Sequence, residues 1–159
     1  MASTSYLSPT ATGETYNDWF PAENVYSSNN QWAFVDPLGY VDQDYYNFSV
    51  SIPESSTIDG IEVQIEGVCG LGETGTINVR LSPNGGTSWT GWDGNQTFTD
   101  AEGYKTYGGS TDAWGRIWSV SEFSNSNFRV HAQCTSADGY YFLVDHLLNT
   151  CTFFLLPLL

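Results

Sequence analysis

Asp59-Gly60-Ile61-Glu62-Val63-Gln64-Ile65-Glu66 decides the fold. Apolar and polar residues alternate one for one, and successive side chains of a strand point to opposite faces. Ile61, Val63 and Ile65 therefore make a buried face, and Glu62, Gln64 and Glu66 an acidic, wet one. The same period of two recurs on both sides. Downstream, Ile77, Val79 and Leu81 run into Pro83-Asn84-Gly85-Gly86, where glycines supply the positive φ of a tight hairpin. Tyr104 to Tyr107 predicts a short strand before the Gly108-Gly109 break, and the Asp-, Gly- and Thr-rich stretch ahead of it reads as a loop. Phe128, Val130, Ala132 and Cys134 alternate again. A last strand runs from about Tyr141 to Phe154, with Leu147, Cys151 and Phe153 facing one way. Upstream, Tyr46, Phe48, Val50 and Ile52 alternate with Asn47, Ser49 and Ser51 and predict a strand that Pro53 stops. Ser119-Val120-Ser121-Glu122-Phe123 has capping-box spacing and predicts one short helical turn. The sum is an all-β chain: an antiparallel β-sandwich, jelly-roll-like, of about seven to nine strands with at most one short helix.

Length and composition agree with one domain. The chain has 159 residues, aromatics make up 16% of it, and the Lys, Glu, Ala and Leu of long amphipathic helices are scarce. Residues 1–40 form an extended aromatic arm, interrupted by Pro9, Pro21 and Pro37 and carrying Tyr16, Trp19, Phe20, Tyr26, Trp32 and Phe34. Such rings must be covered, either by their own sandwich or by a neighbouring subunit. Residues 41–154 form the sandwich, and 155–159 an apolar tail too short to span a bilayer. Eighteen acidic residues against four basic ones give a formal charge of −14, a field that repels phosphate backbones and anionic lipid headgroups. No nucleic-acid or membrane partner is expected. Met1-Ala2-Ser3-Thr4-Ser5 lacks the pattern of a signal peptide, so synthesis and folding in a host cytoplasm are expected. Cys69, Cys134 and Cys151 form no close pair and read as small buried hydrophobes, with a Cys134–Cys151 bridge left open.

Several segments in order carry a resemblance. They are Ile52-Pro53, Ile58-Asp59-Gly60-Ile61-Glu62-Val63, Val79-Arg80-Leu81-Ser82 with its Gly-Gly-Thr-Ser-Trp turn, Gly108 to Gly115 with Trp118, Asn127-Phe128-Arg129-Val130, and Val144-Asp145. Together they resemble a β-sandwich module recurrent in tailed-phage virion structural proteins and bacterial surface proteins. The resemblance implies a non-enzymatic role as a capsid decoration protein, a tail or fibre component, or an adhesin. Ser82-x-Asn84-x-Gly86-x-Ser88-Trp89 is separately similar to the Asp-box hairpin of sialidases, a structural motif even there.

No catalytic constellation stands out. A catalytic reading would need each histidine, His131 and His146, paired with a nucleophile or carboxylate; His131 and Cys134 fall on opposite strand faces, and nothing in the sequence brings the carboxylates Glu62 and Asp145 together, so no enzyme is expected. No cofactor is expected either, apart from calcium. Asp36, Asp42 and Asp44 form one acidic cluster and Asp93, Asn95, Asp100 and Glu102 another, of the oxygen chemistry a hard cation uses, though neither has EF-hand spacing. Trp19, Phe20, Tyr26, Trp32, Trp89, Trp92 and Arg116 are the candidate interface or ligand residues, because aromatic rings and arginine anchor protein contacts and rings also stack on sugars. Arg80, Arg116 and Arg129 read as structural ion pairs in so acidic a chain. The expected function is a virion-surface decoration protein held by the major coat protein and by copies of itself. The alternative is a carbohydrate-binding or adhesion module of a phage tail or cell surface.

Overall fold

The computed structural model describes residues 1–35, 41–70, 72–136 and 142–155. They form two antiparallel sheets facing each other across one core. Ten strands follow in chain order: β1 (Ala2–Ser3), β2 (Ala11–Asn17), β3 (Ala33–Val35), β4 (Val41–Tyr46), β5 (Ser56–Cys69), β6 (Gly75–Ser82), β7 (Asp93–Phe98), β8 (Gly103–Gly108), β9 (Arg129–Ser136) and β10 (Phe142–Leu155). One sheet has the order β1-β10-β5-β8, with β3 also on β10, and the other β2-β4-β9-β6-β7. Two 3-10 turns, Ala22–Val25 and Val120–Phe123, are the helical segments of the described residues.

The alternation of β5 becomes the middle of the first sheet. Ile61, Val63 and Ile65 are fully buried, and β5 pairs with β10 over almost its whole length, Ile61 opposite Cys151 and Ile65 opposite Leu147. Val130, Ala132 and Cys134 of β9 and Ile77, Val79 and Leu81 of β6 face them from the second sheet, all without exposed surface. Burying side chains of this kind contributes about 1.5–3 kcal/mol each relative to exposure, so the two inner faces hold the sandwich together. All three cysteines are free and buried, and the bridge left open between Cys134 and Cys151 is not formed.

Two elements differ from expectation. Tyr46 to Ile52 is not a strand. Regular pairing ends at Tyr46, and Asn47 and Ser49 take positive φ of 62° and 55°, which breaks the pleat even though Phe48 still reaches the core. Conversely, Asp93–Phe98, whose composition predicts a loop, is β7. It pairs with the edge of β6, Gly75 opposite Phe98 and Ile77 opposite Gln96, a position where backbone pairing matters more than β-propensity.

The aromatic arm is spent largely on its own chain. Thr4 and Leu7 donate backbone N–H to Cys151 and Asn149 of β10, at 2.9 and 2.8 Å, and β2 lines β4. Trp19 is 2% exposed and donates its indole N–H to the Val41 carbonyl at 3.3 Å, whereas Phe20 is 78% exposed. These pairings fill the β10 edge that β5 leaves open.

Candidate functional site

Residues that alternate inward on the second sheet leave their neighbours on its outer face. There stand Asp42, Asp44 and Tyr46 of β4, Arg129, His131 and Gln133 of β9, and Arg80 and Ser82 of β6. Two local devices bring aromatic rings over them. In the hairpin after β6, Ser82 Oγ accepts the N–H groups of Asn84 and Gly86 at 3.2 and 2.9 Å, and Asn84 Oδ1 accepts the N–H of Ser88 at 2.8 Å. Gly85 and Gly86 supply positive φ of 68° and 87°. This Asp-box-like turn holds the chain so that Trp89 and Trp92 return over β6. On the other side, the backbone of Tyr16 is fixed by Asp44 Oδ1, which accepts its N–H at 3.2 Å, and by Gln43, whose amide donates to its carbonyl at 3.2 Å.

Arg80 lies at the centre. Its guanidinium carbon is 4.3 Å from the Trp92 ring, 4.9 Å from Trp89 and 5.8 Å from Tyr16, the geometry of cation–π stacking. Its Nε and Nη2 donate to His131 Nδ1 at 3.2 and 3.1 Å, and Nη2 also to the Tyr16 hydroxyl at 3.2 Å. An acceptor at Nδ1 makes His131 the neutral Nε2–H tautomer, and that N–H donates to Asp42 Oδ1 at 2.7 Å. Burial pushes the His131 pKa below its ordinary value, and the neighbouring Arg80 charge acts the same way against Asp42. Gln133 donates to the same Asp42 oxygen at 3.0 Å. Beside this chain of bonds, Arg129 pairs with Asp44 at 2.9 Å and lies over Tyr46.

Trp92 is 42% exposed and links this face to an open cleft of about 420 Å³, lined also by Gly91, Asp93, Asp112, Trp114 and Gly115. The far wall is tied down by hydrogen bonds. Trp114 donates its indole N–H to the Ile61 carbonyl at 2.8 Å, Asp112 Oδ1 accepts the Trp114 backbone N–H at 2.7 Å, and Asp93 accepts that of Gly108. Gly108, with φ of 66°, is required there, since a Cβ would come within 2.3 Å of the Ile61 carbonyl and 2.6 Å of the Trp114 indole nitrogen.

Of the residues singled out in the sequence, Trp89 and Trp92 come together here. Trp19 is in the core, Tyr26 is half-buried and bridged to His146, and Trp32 is half-buried, its carbonyl taking the Asn24 amide at 3.0 Å. Arg116 is an ion pair with Glu122 at 2.6 Å, stacked on Trp118. Asp42 and Asp44 stand on one face of β4, paired with His131 and Arg129. Asp36 and the Asn95 side chain lie outside what the structure describes, Asp93 faces the cleft, and Asp100 is exposed in the turn after β7. Glu102 instead approaches Glu66 and Asp145, each offering an oxygen within 4.8 Å of the others. Glu62 sits opposite Thr150, several rungs from Asp145, and His131 and Cys134 point to opposite faces of β9. Sequence reasoning missed Tyr16 and the role of Arg80, although the interval from Arg80 through the turn glycines to Trp89 carried a signal for the latter.

Fold and face together define an antiparallel β-sandwich with an aromatic, hydrogen-bonded surface on one sheet and an open cleft beside it. No family model matches the chain, and no curated protein matches it. Among solved structures it is similar to a Family 16 Carbohydrate Binding Module-2, at 11% identity and TM-score 0.46 over 86% of each chain. It is also similar to CBM29_1, a family 29 carbohydrate binding module from Piromyces equi, at 14% identity and TM-score 0.43, and to the xylan-binding module CBM15, at 8% identity and TM-score 0.45. Each of these two likenesses covers 94% of this chain and 91% of the other. With TM-scores below 0.5, none of them says what this chain binds.

Proposed function

We propose that this chain is a non-catalytic glycan-binding module whose platform is Trp92 at the mouth of the cleft. The observation that carries this is a large aromatic ring left 42% exposed while being held from behind by a stacked guanidinium and faced by the carboxylates of Asp93 and Asp112. A sugar ring offers apolar C–H faces and a rim of hydroxyl donors. An aromatic plate beside fixed acceptors complements both, and a wall tied down by hydrogen bonds lowers the ordering cost of binding. His131 is spent between Arg80 and Asp42, and among the described residues no hydroxyl or thiol is bonded to it.

The test is affinity electrophoresis and titration calorimetry against a panel of soluble polysaccharides. Trp92→Ala is expected to weaken the best ligand at least tenfold, about 1.4 kcal/mol, while shifting the melting temperature by no more than about 2 °C, since the ring is half in water. Absence of binding to every polysaccharide overturns the proposal.

Decoration of a virion shell is the second reading. It is supported by Ile117 and Phe20, apolar side chains 92% and 78% exposed, which a partner surface would cover. Ile117→Ser with Phe20→Ser would abolish co-sedimentation with a coat-protein shell and leave glycan binding intact.

A further inference from the structure

We propose that the bound glycan carries a carboxylate and that Arg80 is the side chain that recognises it. This rests on the glycan-binding reading and goes further in naming the ligand's chemistry. The chain has four basic residues against eighteen acidic ones, so every cation has carboxylates to choose from. Arg116 and Arg129 take them, at 2.6 and 2.9 Å. Arg80 does not. Its acceptors are the neutral Nδ1 of His131 and the hydroxyl of Tyr16, and among the described residues no carboxylate lies within ion-pair distance of it. Of the acids on that face, Asp42 is turned to the N–H groups of His131 and Gln133, and Asp44 is paired with Arg129.

A guanidinium has five N–H donors in a rigid plane. Here Nε and Nη2 have protein acceptors, and the Nη1 edge has none among the described residues. Half-buried between Trp89, Trp92 and Tyr16, the group has given up part of its hydration without gaining a counter-charge. The two N–H groups left on Nη1 would meet an anionic oxygen by charge-assisted hydrogen bonding. Trp92 touches both this cation and the cleft, so a sugar in the cleft whose substituent reaches past the ring edge would meet Arg80. The net charge of −14 limits the ligand further. One caged cation compensates one carboxylate, and the field of the protein opposes each additional one. The ligand is therefore a mainly neutral polysaccharide bearing isolated uronic acid residues, rather than a dense polyanion.

The experiment titrates the full chain with glucuronoxylan and with xanthan, each beside the same polymer after carboxyl reduction to the neutral sugar. Polygalacturonate serves as the dense polyanion and chondroitin sulfate as the sulfated one. At least one native polymer is expected to bind ten times or more tightly than its reduced form. In Arg80→Gln that ratio is expected to fall to about one, whatever happens to the absolute affinities, with Arg80→Lys between the two. Equal binding of native and reduced forms overturns the inference, as does a ratio unchanged in Arg80→Gln, which would make the arginine only a support for the indoles. Preference for polygalacturonate or chondroitin sulfate also overturns it. If the reduced polymers bind and the carboxylate adds nothing, glycan binding stands and this inference falls. If no polymer binds in either form, both fall.

Discussion

His131 has no exposed surface, yet it joins the caged arginine to the Asp42 carboxylate, and it can do so only while neutral. Protonation would replace the Nδ1 lone pair by a proton facing Arg80. Because burial lowers the folded-state pKa, the unfolded chain binds more protons in the window between that lowered value and the ordinary one near 6.5. Stability is then complete above about pH 6.5 and is lost as pH falls below it. His146, also lowered by burial, adds in the same direction. Calorimetry is expected to show a melting temperature that drops between about pH 6.5 and pH 5, with a shallower drop in His131→Asn. A slope unchanged in that variant would contradict this origin. A second residue prediction concerns Asn149. It is fully buried opposite Val63 on the inner face of β10, and among the described residues neither its side-chain nitrogen nor its side-chain oxygen has a partner. Asn149→Leu is expected to raise stability by about 1–2 kcal/mol in chemical denaturation, since a buried unpaired amide costs about that much.

At the scale of elements, β10 depends on both its edges. β5 holds one, and β1, β3 and Leu7 the other. Deleting residues 1–8 is expected to lower the melting temperature by several degrees and to increase self-association in light scattering, because the freed N–H and C=O row of β10 is a template for another chain. A truncated chain that melts and stays dispersed like the full one would show the edge to be covered otherwise. The elements most legible in the sequence were those with strict alternation beside strong turn signals, β5 and β6 with the Ser82–Trp89 hairpin. Tyr46 to Ile52 misled because Phe48 is buried from an irregular segment, so burial mimicked a period that the backbone does not have. β7 was hidden for the opposite reason: Asp93, Gly94 and Asn95 are turn formers, recruited into a sheet by the free edge of β6.

For the whole molecule, the two inner faces bury Cys69, Cys134 and Cys151, and burial pushes the thiols of Cys134 and Cys151 up to about 12. All three are expected to remain unreactive toward a disulfide reagent in the native state and to react together on unfolding, at a rate set by global opening. Fast reaction of one thiol in native buffer would reveal a sub-global opening. Sequence alone determined the sandwich, its inner faces and the acidic net charge, because alternation, turn glycines and net charge are local or additive properties. Which rings would be spent in the core and which left outward was decided only by tertiary structure. Trp19 and Trp92 are alike as residues. The first is folded beneath β4 by the arm, the second is turned out by a hairpin, and Arg80 meets it only because β6, β9 and the arm's Tyr16 converge from distant parts of the chain.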